Sequence, residues 1–179
     1  MIQITDTISL KPIASRDCET LFKLMQEIYP PAYSNFWTDA GSWYVNSQYS
    51  ETNILKELNN TKAAYYFVLY NDEIIGNFRF IWNENLAGLA FEKQVKLHRL
   101  YLHQKTQGKG IGKSLLAWLT QKAKIKKYEV IWLDAMNEQP QAFEFYKKLG
   151  YKYHSYTLLP FELMHNEVRK MSQLYKVIS

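Results

Sequence analysis

The residues from Gln107 to Gly112 read Gln-Gly-Lys-Gly-Ile-Gly, between a stretch with the alternation of a strand and a stretch with the periodicity of a helix. Three glycines in five positions allow positive φ and let a ligand approach the backbone, because no Cβ stands in the way. Amides freed by such a turn, and at the start of the following helix, carry partial positive charge and can cradle an anion. Lys105, Lys109 and Lys113 add full charges. The segment therefore reads as a phosphate-binding strand, loop and helix, with a plain tight turn before a helix as the alternative. It is not GxxxxGK[ST], although Lys113 and Ser114 follow a glycine. Nor is it a dinucleotide fingerprint, which needs GxGxxG after a first strand and an acid roughly 20 positions on. Position 132 is Trp.

Charge marks the same region. The chain carries a net +5, yet Lys93 to Lys127 holds ten Lys/Arg and no Asp or Glu, while residues 1 to 92 sum to −5. An electropositive segment attracts a coenzyme phosphate, a nucleic acid or a membrane surface, and a solvated basic helix face is the bland reading.

The 179 residues amount to one domain, 1–179, able to bury roughly 70% of its unfolded surface. With 47% apolar and 22% charged residues, disordered and fibrous classes are excluded. One cysteine, Cys18, and no Cys/His spacing exclude a disulfide scaffold and predict no metal. No apolar run approaches the ~20 residues that span a bilayer, and no leader-like N-terminus is present. A soluble, cytoplasmic protein without membrane partners is predicted.

The elements that must position the glycine loop follow from periodicity. We expect a strand over Ile8–Ile13 and a helix over Asp17–Tyr29, capped by Asp17 and stopped by Pro30 and Pro31. Residues 32–50 are aromatic-rich without clean periodicity, and Ser50 caps a helix over Glu51–Leu58. Strands over Ala64–Tyr70 and Ile74–Trp82 flank Asn71 and Asp72 in a tight hairpin. A strand over Val95–Leu102 leads through the glycines into a helix over Gly110–Ile125, whose Ile111, Leu115, Trp118 and Leu119 share a face. An interior strand over Val130–Ala135 follows, then a helix opened by Pro140 and closed by Gly150. Strands over Tyr151–Leu158 and Met171–Val177 complete a mixed sheet with helices packed on it.

Two segments together carry a resemblance. Gln107 to Gly112 fits the pattern Q/R-x-x-G-x-G/A after a strand ending LYL, and Pro140 to Lys152 (PQAFEFYKKLGYK) presents A-x-x-x-Y followed by Leu, Gly and an aromatic. In this order and spacing the chain resembles the GNAT superfamily of N-acetyltransferases, over roughly Ile74 to Tyr153. The resemblance implies an α/β fold: a single GNAT-like domain with a mostly antiparallel mixed sheet, one splayed parallel pair (Val95–Leu102 and Val130–Ala135) and helices on both faces. It implies acetyl-CoA as cosubstrate and no metal. The diphosphate would lie on Gln107, Gly108, Lys109, Gly110, Ile111, Gly112, Lys113 and Ser114. The backbone of Leu100, Tyr101 and Leu102 would pair with the pantetheine arm, and an amide there would polarise the thioester carbonyl. Relatives place Asn near the coenzyme where this chain has Gln139; Asn137, two residues earlier, is the substitute.

The implied reaction is attack of a primary amine on the thioester. Such an amine, with a pKa near ~10, is about one part in a thousand neutral at pH 7, so a proton must be accepted before attack. Tyr146 occupies the family's general-acid position, or simply packs beside Ala142, Phe145 and Leu149. His98 occupies the position where many relatives carry a carboxylate base, or is a strand residue with a satisfied hydrogen bond. The acidic first half favours a small cationic acceptor, and AYYFVLYNDEIIG with the IWL and FYKKLGY stretches is similar to bacterial polyamine N-acetyltransferases; another small amine, an aminoglycoside and a protein N-terminus or lysine stay open, and the aromatics of 33–49 are core or the lining of an acceptor pocket. A coenzyme-binding regulator without catalysis, and a nucleic-acid binder using residues 93–127, are the rivals; no nucleic-acid motif appears. The oligomeric state, monomer or homodimer, does not follow from the sequence.

Overall fold

The computed structural model describes residues 1–179. An eight-stranded sheet runs through the molecule in the order β1-β2-β3-β4-β5-β6-β8-β7. Its strands are β1 (Ile2–Gln3), β2 (Ile8–Pro12), β3 (Ala63–Tyr70), β4 (Glu73–Trp82), β5 (Gln94–Leu102), β6 (Val130–Met136), β7 (Lys152–Leu158) and β8 (Lys170–Val177). All neighbours pair antiparallel except β5 and β6. The β3–β4 hairpin turns on Asn71 and Asp72, both at positive φ (49° and 64°), the turn geometry that matches the twist of paired strands.

Helices cover both faces, as expected. On one side α4 (Ile111–Ile125) buries Ile111, Leu115, Leu116, Leu119 and Ala123 against Phe78, Val95, Leu97 and Leu133 of the sheet. Each fully buried leucine of that stripe contributes about 1.5–3 kcal/mol. Trp118, expected on the same face, is only half-buried and lies edge-on to Tyr66. α5 (Pro140–Lys148) lies on this side too, closed by Gly150 at φ 89°. The other face carries α1 (Cys18–Tyr33), α2 (Ser42–Gln48) and α3 (Glu51–Leu58), packed over Tyr65, Phe67 and Leu69. Ser50 caps α3 as expected, accepting the Asn53 amide at 3.2 Å.

Three expectations are corrected. Pro30 and Pro31 do not stop α1, which runs through them to Tyr33. As prolines they offer no amide to the carbonyls of Gln26 and Glu27, both on exposed residues where water can serve them. Ser34 N–H reaches Pro30 O, and the Tyr33 ring stacks on Tyr29 at 4.7 Å, holding the last turn. Asp17 does not cap α1 either: its carboxylate accepts the Ala14 amide at 2.9 Å, closing a separate turn over Ser15–Asp17. Finally, the aromatic stretch after Pro31 contains the unpredicted helix α2.

The basic segment is divided by the fold. Lys96 and Arg99 lie within the molecule in ion pairs, Lys105 pairs with Glu73, and Lys122 to Lys127 sit at the far end of α4. No helix is long and apolar enough to cross a membrane.

Candidate active site

The parallel pair opens in mid-sheet. β5 and β6 are paired from Gln94–Val130 to Leu97–Leu133 and no further, although both strands continue. The cause lies on the other edge of β5. There Leu97 faces Phe80 and Arg99 faces Arg79, so His98 is an extra, bulged residue. A bulge bends and overtwists its strand, here away from β6. The gap-facing backbone groups of residues 98 to 102 have no strand partner, while the side chains of Leu100 and Leu102 pack into the core and Tyr101 turns to the opposite face. A cavity of about 350 Å³ opens at this gap.

The glycine loop follows β5 in the chain, between the end of that strand and α4. Gly108 (φ 77°) and Gly110 (φ 73°) adopt the left-handed conformation, and a Cβ on either would meet nothing within 4 Å. Gly112 lies inside α4, within the helix expected over Gly110–Ile125, and a Cβ there would lie 3.2 Å from the Phe145 ring of α5, tighter than ordinary packing. Gln107 N–H bonds to Gln104 O at 3.0 Å, and Ser114 N–H to Gly110 O at 3.0 Å. Between them the amides of residues 108 to 113 meet no protein acceptor, and no side chain caps α4. Free amides at a helix start, with open space where a Cβ on Gly108 or Gly110 would lie, fit a diphosphate. Lys113 is exposed beside them, and Lys109 extends over the Tyr70 ring at 4.8 Å.

Tyr146 and His98 both line the cavity. The Tyr146 ring packs edge-on to Phe145 and Tyr151, and burial raises its pKa well above the ordinary tyrosine value. Its hydroxyl therefore stays protonated. His98 is not placed as a free base. Arg79 Nη1 lies 2.8 Å from His98 Nδ1, and a guanidinium can only donate, so Nδ1 accepts and Nε2 carries the proton. Burial, with Arg99, Arg79 and Lys96 adding, pushes its pKa down to about 2.

The two amides near β6 have internal duties. Gln139 Nε2 donates to Ala32 O at 2.7 Å, tying the turn before α5 to the end of α1. Asn137 Oδ1 accepts from Ser172 at 2.5 Å, with no protein partner for its Nδ2.

Of the aromatic run between residues 33 and 49, Tyr33, Phe36, Trp37 and Tyr44 line the cavity. Tyr33 and Tyr44 lie on either side of Tyr29 in a parallel stack, at 4.7 and 4.5 Å, and the Tyr44 and Tyr101 hydroxyls are 3.4 Å apart. The aromatic run is both core and lining: Tyr29, Phe36 and Trp37 are buried, while Tyr33 and Tyr44 are half-buried. Asp134 also lines the cavity, paired with Lys96 at 2.9 Å. Its signal was an acid inside the apolar run VIWLDA, beyond the last residue that β6 pairs with β5. Arg99, also in the lining, bonds Glu57 at 2.7 Å and stacks over Tyr49 at 4.5 Å.

A sheet that parts at its one parallel pair, beside a loop of bare amides, is the architecture of an N-acetyltransferase. The chain belongs to the GNAT family of acetyltransferases, whose family model matches residues 22–151. Solved structures agree over nearly the whole length. The PaiA N-acetyltransferase of Thermoplasma acidophilum, in complex with coenzyme A, shares 20% identity with a TM-score of 0.68, covering 96% of this chain and 99% of that one. A spermidine N-acetyltransferase of Vibrio cholerae, in complex with coenzyme A and spermine, shares 15% with a TM-score of 0.66, covering 97% and 96%. The ribosomal L7/L12 alpha-N-protein acetyltransferase RimL, in complex with coenzyme A, shares 14% with a TM-score of 0.69, covering 98% and 97%. At such identities the likeness speaks for the fold, and the last two proteins are named for different acceptors, spermidine and ribosomal L7/L12.

Proposed function

We propose that the protein is an acetyl-CoA-dependent N-acetyltransferase acting on a small primary amine. The observation that carries this reading is the edge of β5 left unpaired beyond Leu97, which opens on a cavity that Tyr146 lines and runs on in the chain to the free amides of 108–113. When bound, acetyl-CoA supplies an activated acyl carbon: a C–N bond forms, the C–S bond breaks, the nitrogen loses a proton and the departing thiolate gains one. The amides of 108–113, with Lys109 and Lys113, would hold the diphosphate. The backbone of Leu100, Tyr101 and Leu102 would pair with the pantetheine arm, and Asn137 Nδ2 would add a donor. Gln139 drops out, since its amide is engaged at Ala32.

Tyr146 is the proton donor in this reading, protonated at every working pH and without a hydrogen bond that would hold its hydroxyl elsewhere. His98 cannot accept the amine's proton while Arg79 occupies Nδ1, so proton removal passes to water in the cavity. The absence of a free base at 98 also favours a second reading, a coenzyme-binding regulator without turnover. Thiol release from acetyl-CoA against a panel of amines separates the two. Amine-dependent release is expected, and coenzyme binding with no release from any amine would leave the regulator.

A further inference from the structure

The charges around the cavity are almost entirely spent on one another. Arg99 is held by Glu57 at 2.7 Å, and Arg79 donates to Glu57 O at 3.2 Å and to His98. Asp134 is the one carboxylate that lines the cavity. It gives Oδ2 to Lys96 at 2.9 Å, and Lys96 is drawn aside over the Trp132 ring at 4.4 Å. Its Oδ1 is buried and has no hydrogen-bond partner. A buried carboxylate oxygen without a donor is costly, and a ligand N–H at the cavity wall would relieve it. The χ2 torsion of Asp is soft, so a small rotation can present either oxygen.

Position adds to chemistry. Asp134 directly follows Leu133, the last residue that β6 pairs with β5, so it stands where the strands part. Apart from Gln48, Lys96, His98, Arg99 and Gln139, the rest of the lining is apolar or aromatic, with the Tyr33 and Tyr44 rings, Leu159, Phe161 and Met164 among it. Those ring faces can attract one cation. A polyamine would bring further ammonium groups for which no carboxylate remains, and each would lose its hydration without a partner.

We propose that Asp134 anchors the acceptor nitrogen and that the acceptor is a primary monoamine with an aromatic or bulky apolar body. The inference rests on the acetyltransferase reading. Its test uses 2-phenylethylamine and spermidine in two assays: thiol release with acetyl-CoA, and calorimetric titration of each amine into the protein saturated with coenzyme A. Phenylethylamine is expected to exceed spermidine at least 10-fold in kcat/KM and to bind more tightly. Asp134→Asn should weaken phenylethylamine at least 10-fold while coenzyme A affinity stays within twofold. Because that change strands the Lys96 charge, the Asp134→Asn/Lys96→Met pair restores neutrality and should remain equally poor toward the amine. Preference for spermidine, or tight phenylethylamine binding by the double variant, overturns the inference and leaves the acetyltransferase reading standing. Absence of binding by either amine overturns it as well. Phenylethylamine binding without turnover overturns the enzyme reading instead, as does failure of coenzyme A itself to bind.

Discussion

At Tyr146 the ring is packed and the hydroxyl is not hydrogen-bonded, so its two possible duties can be separated by removing one atom. Tyr146→Phe keeps the ring contacts with Phe145 and Tyr151. Turnover at saturating substrate should fall about 100-fold, the usual size of a lost proton donor, with an unchanged melting temperature. An unchanged rate would return the tyrosine to a packing role. His98 gives the opposite expectation. In the unfolded chain its pKa is ordinary, about 6.5, and in the folded protein burial holds it near about 2. Between those values the unfolded state binds more protons, so the histidine's contribution to stability is complete above about pH 6.5 and is lost as pH falls. His98→Gln keeps an acceptor for Arg79 but does not titrate. Its urea midpoint should decline less than the parent's between pH 7 and pH 5, and its kcat should stay within several-fold, whereas loss of a true base would cost about 100-fold or more. Position 98 was singled out by the resemblance, as the strand position before the glycine loop where many relatives carry a carboxylate. Its protonation was not legible, because Arg79 is nineteen residues away in the chain and only the β4–β5 pairing brings them to 2.8 Å.

Among the elements, the loop between β5 and α4 was legible because glycine spacing is a local signal, and so was the hairpin at Asn71 and Asp72. The fate of α1 was not. Proline's local cost argued for a stop, and stacking of Tyr33 on Tyr29 together with solvent for two carbonyls outweighed it. The glycines of the loop also proved to be of two kinds, and their substitutions should differ. Gly110→Val forces a β-branched residue to φ 73° where nothing obstructs its side chain, so the folded state changes by only about 1–2 kcal/mol. Coenzyme A affinity should drop at least 10-fold, since the amides on either side must turn away and the new side chain enters the anion's space. Gly112→Leu instead drives against Phe145, and its expected signature is a lowered melting temperature from separation of α4 and α5. Calorimetric affinity and thermal unfolding, measured on both variants, distinguish the roles; equal effects on both readouts would contradict the division.

For the molecule as a whole, the sequence showed how much positive charge lay between Lys93 and Lys127 but could not show how the fold would divide it. Lys96 and Arg99 are neutralised inside, Lys109 and Lys113 flank the free amides, and Lys122, Lys124, Lys126 and Lys127 gather at the other end of α4. That helix is 15 residues long, about 22 Å, which exceeds the ~8 Å over which exposed charges act at physiological salt. Two groups of lysines should therefore behave independently. Changing Lys109 and Lys113 to Gln should weaken coenzyme A and flatten the salt dependence of its binding, because those are the cations an entering diphosphate meets. Changing the four distal lysines to Gln should leave coenzyme affinity within about twofold at 150 mM salt. If the basic segment instead served a nucleic acid, the distal group would matter most, and binding of a short duplex would fall by several orders of magnitude between 50 and 200 mM salt, as neutralisation of many phosphates requires. Titrating coenzyme A and a duplex against both variants at two salt concentrations decides between a localised diphosphate cradle and an extended polyanion surface.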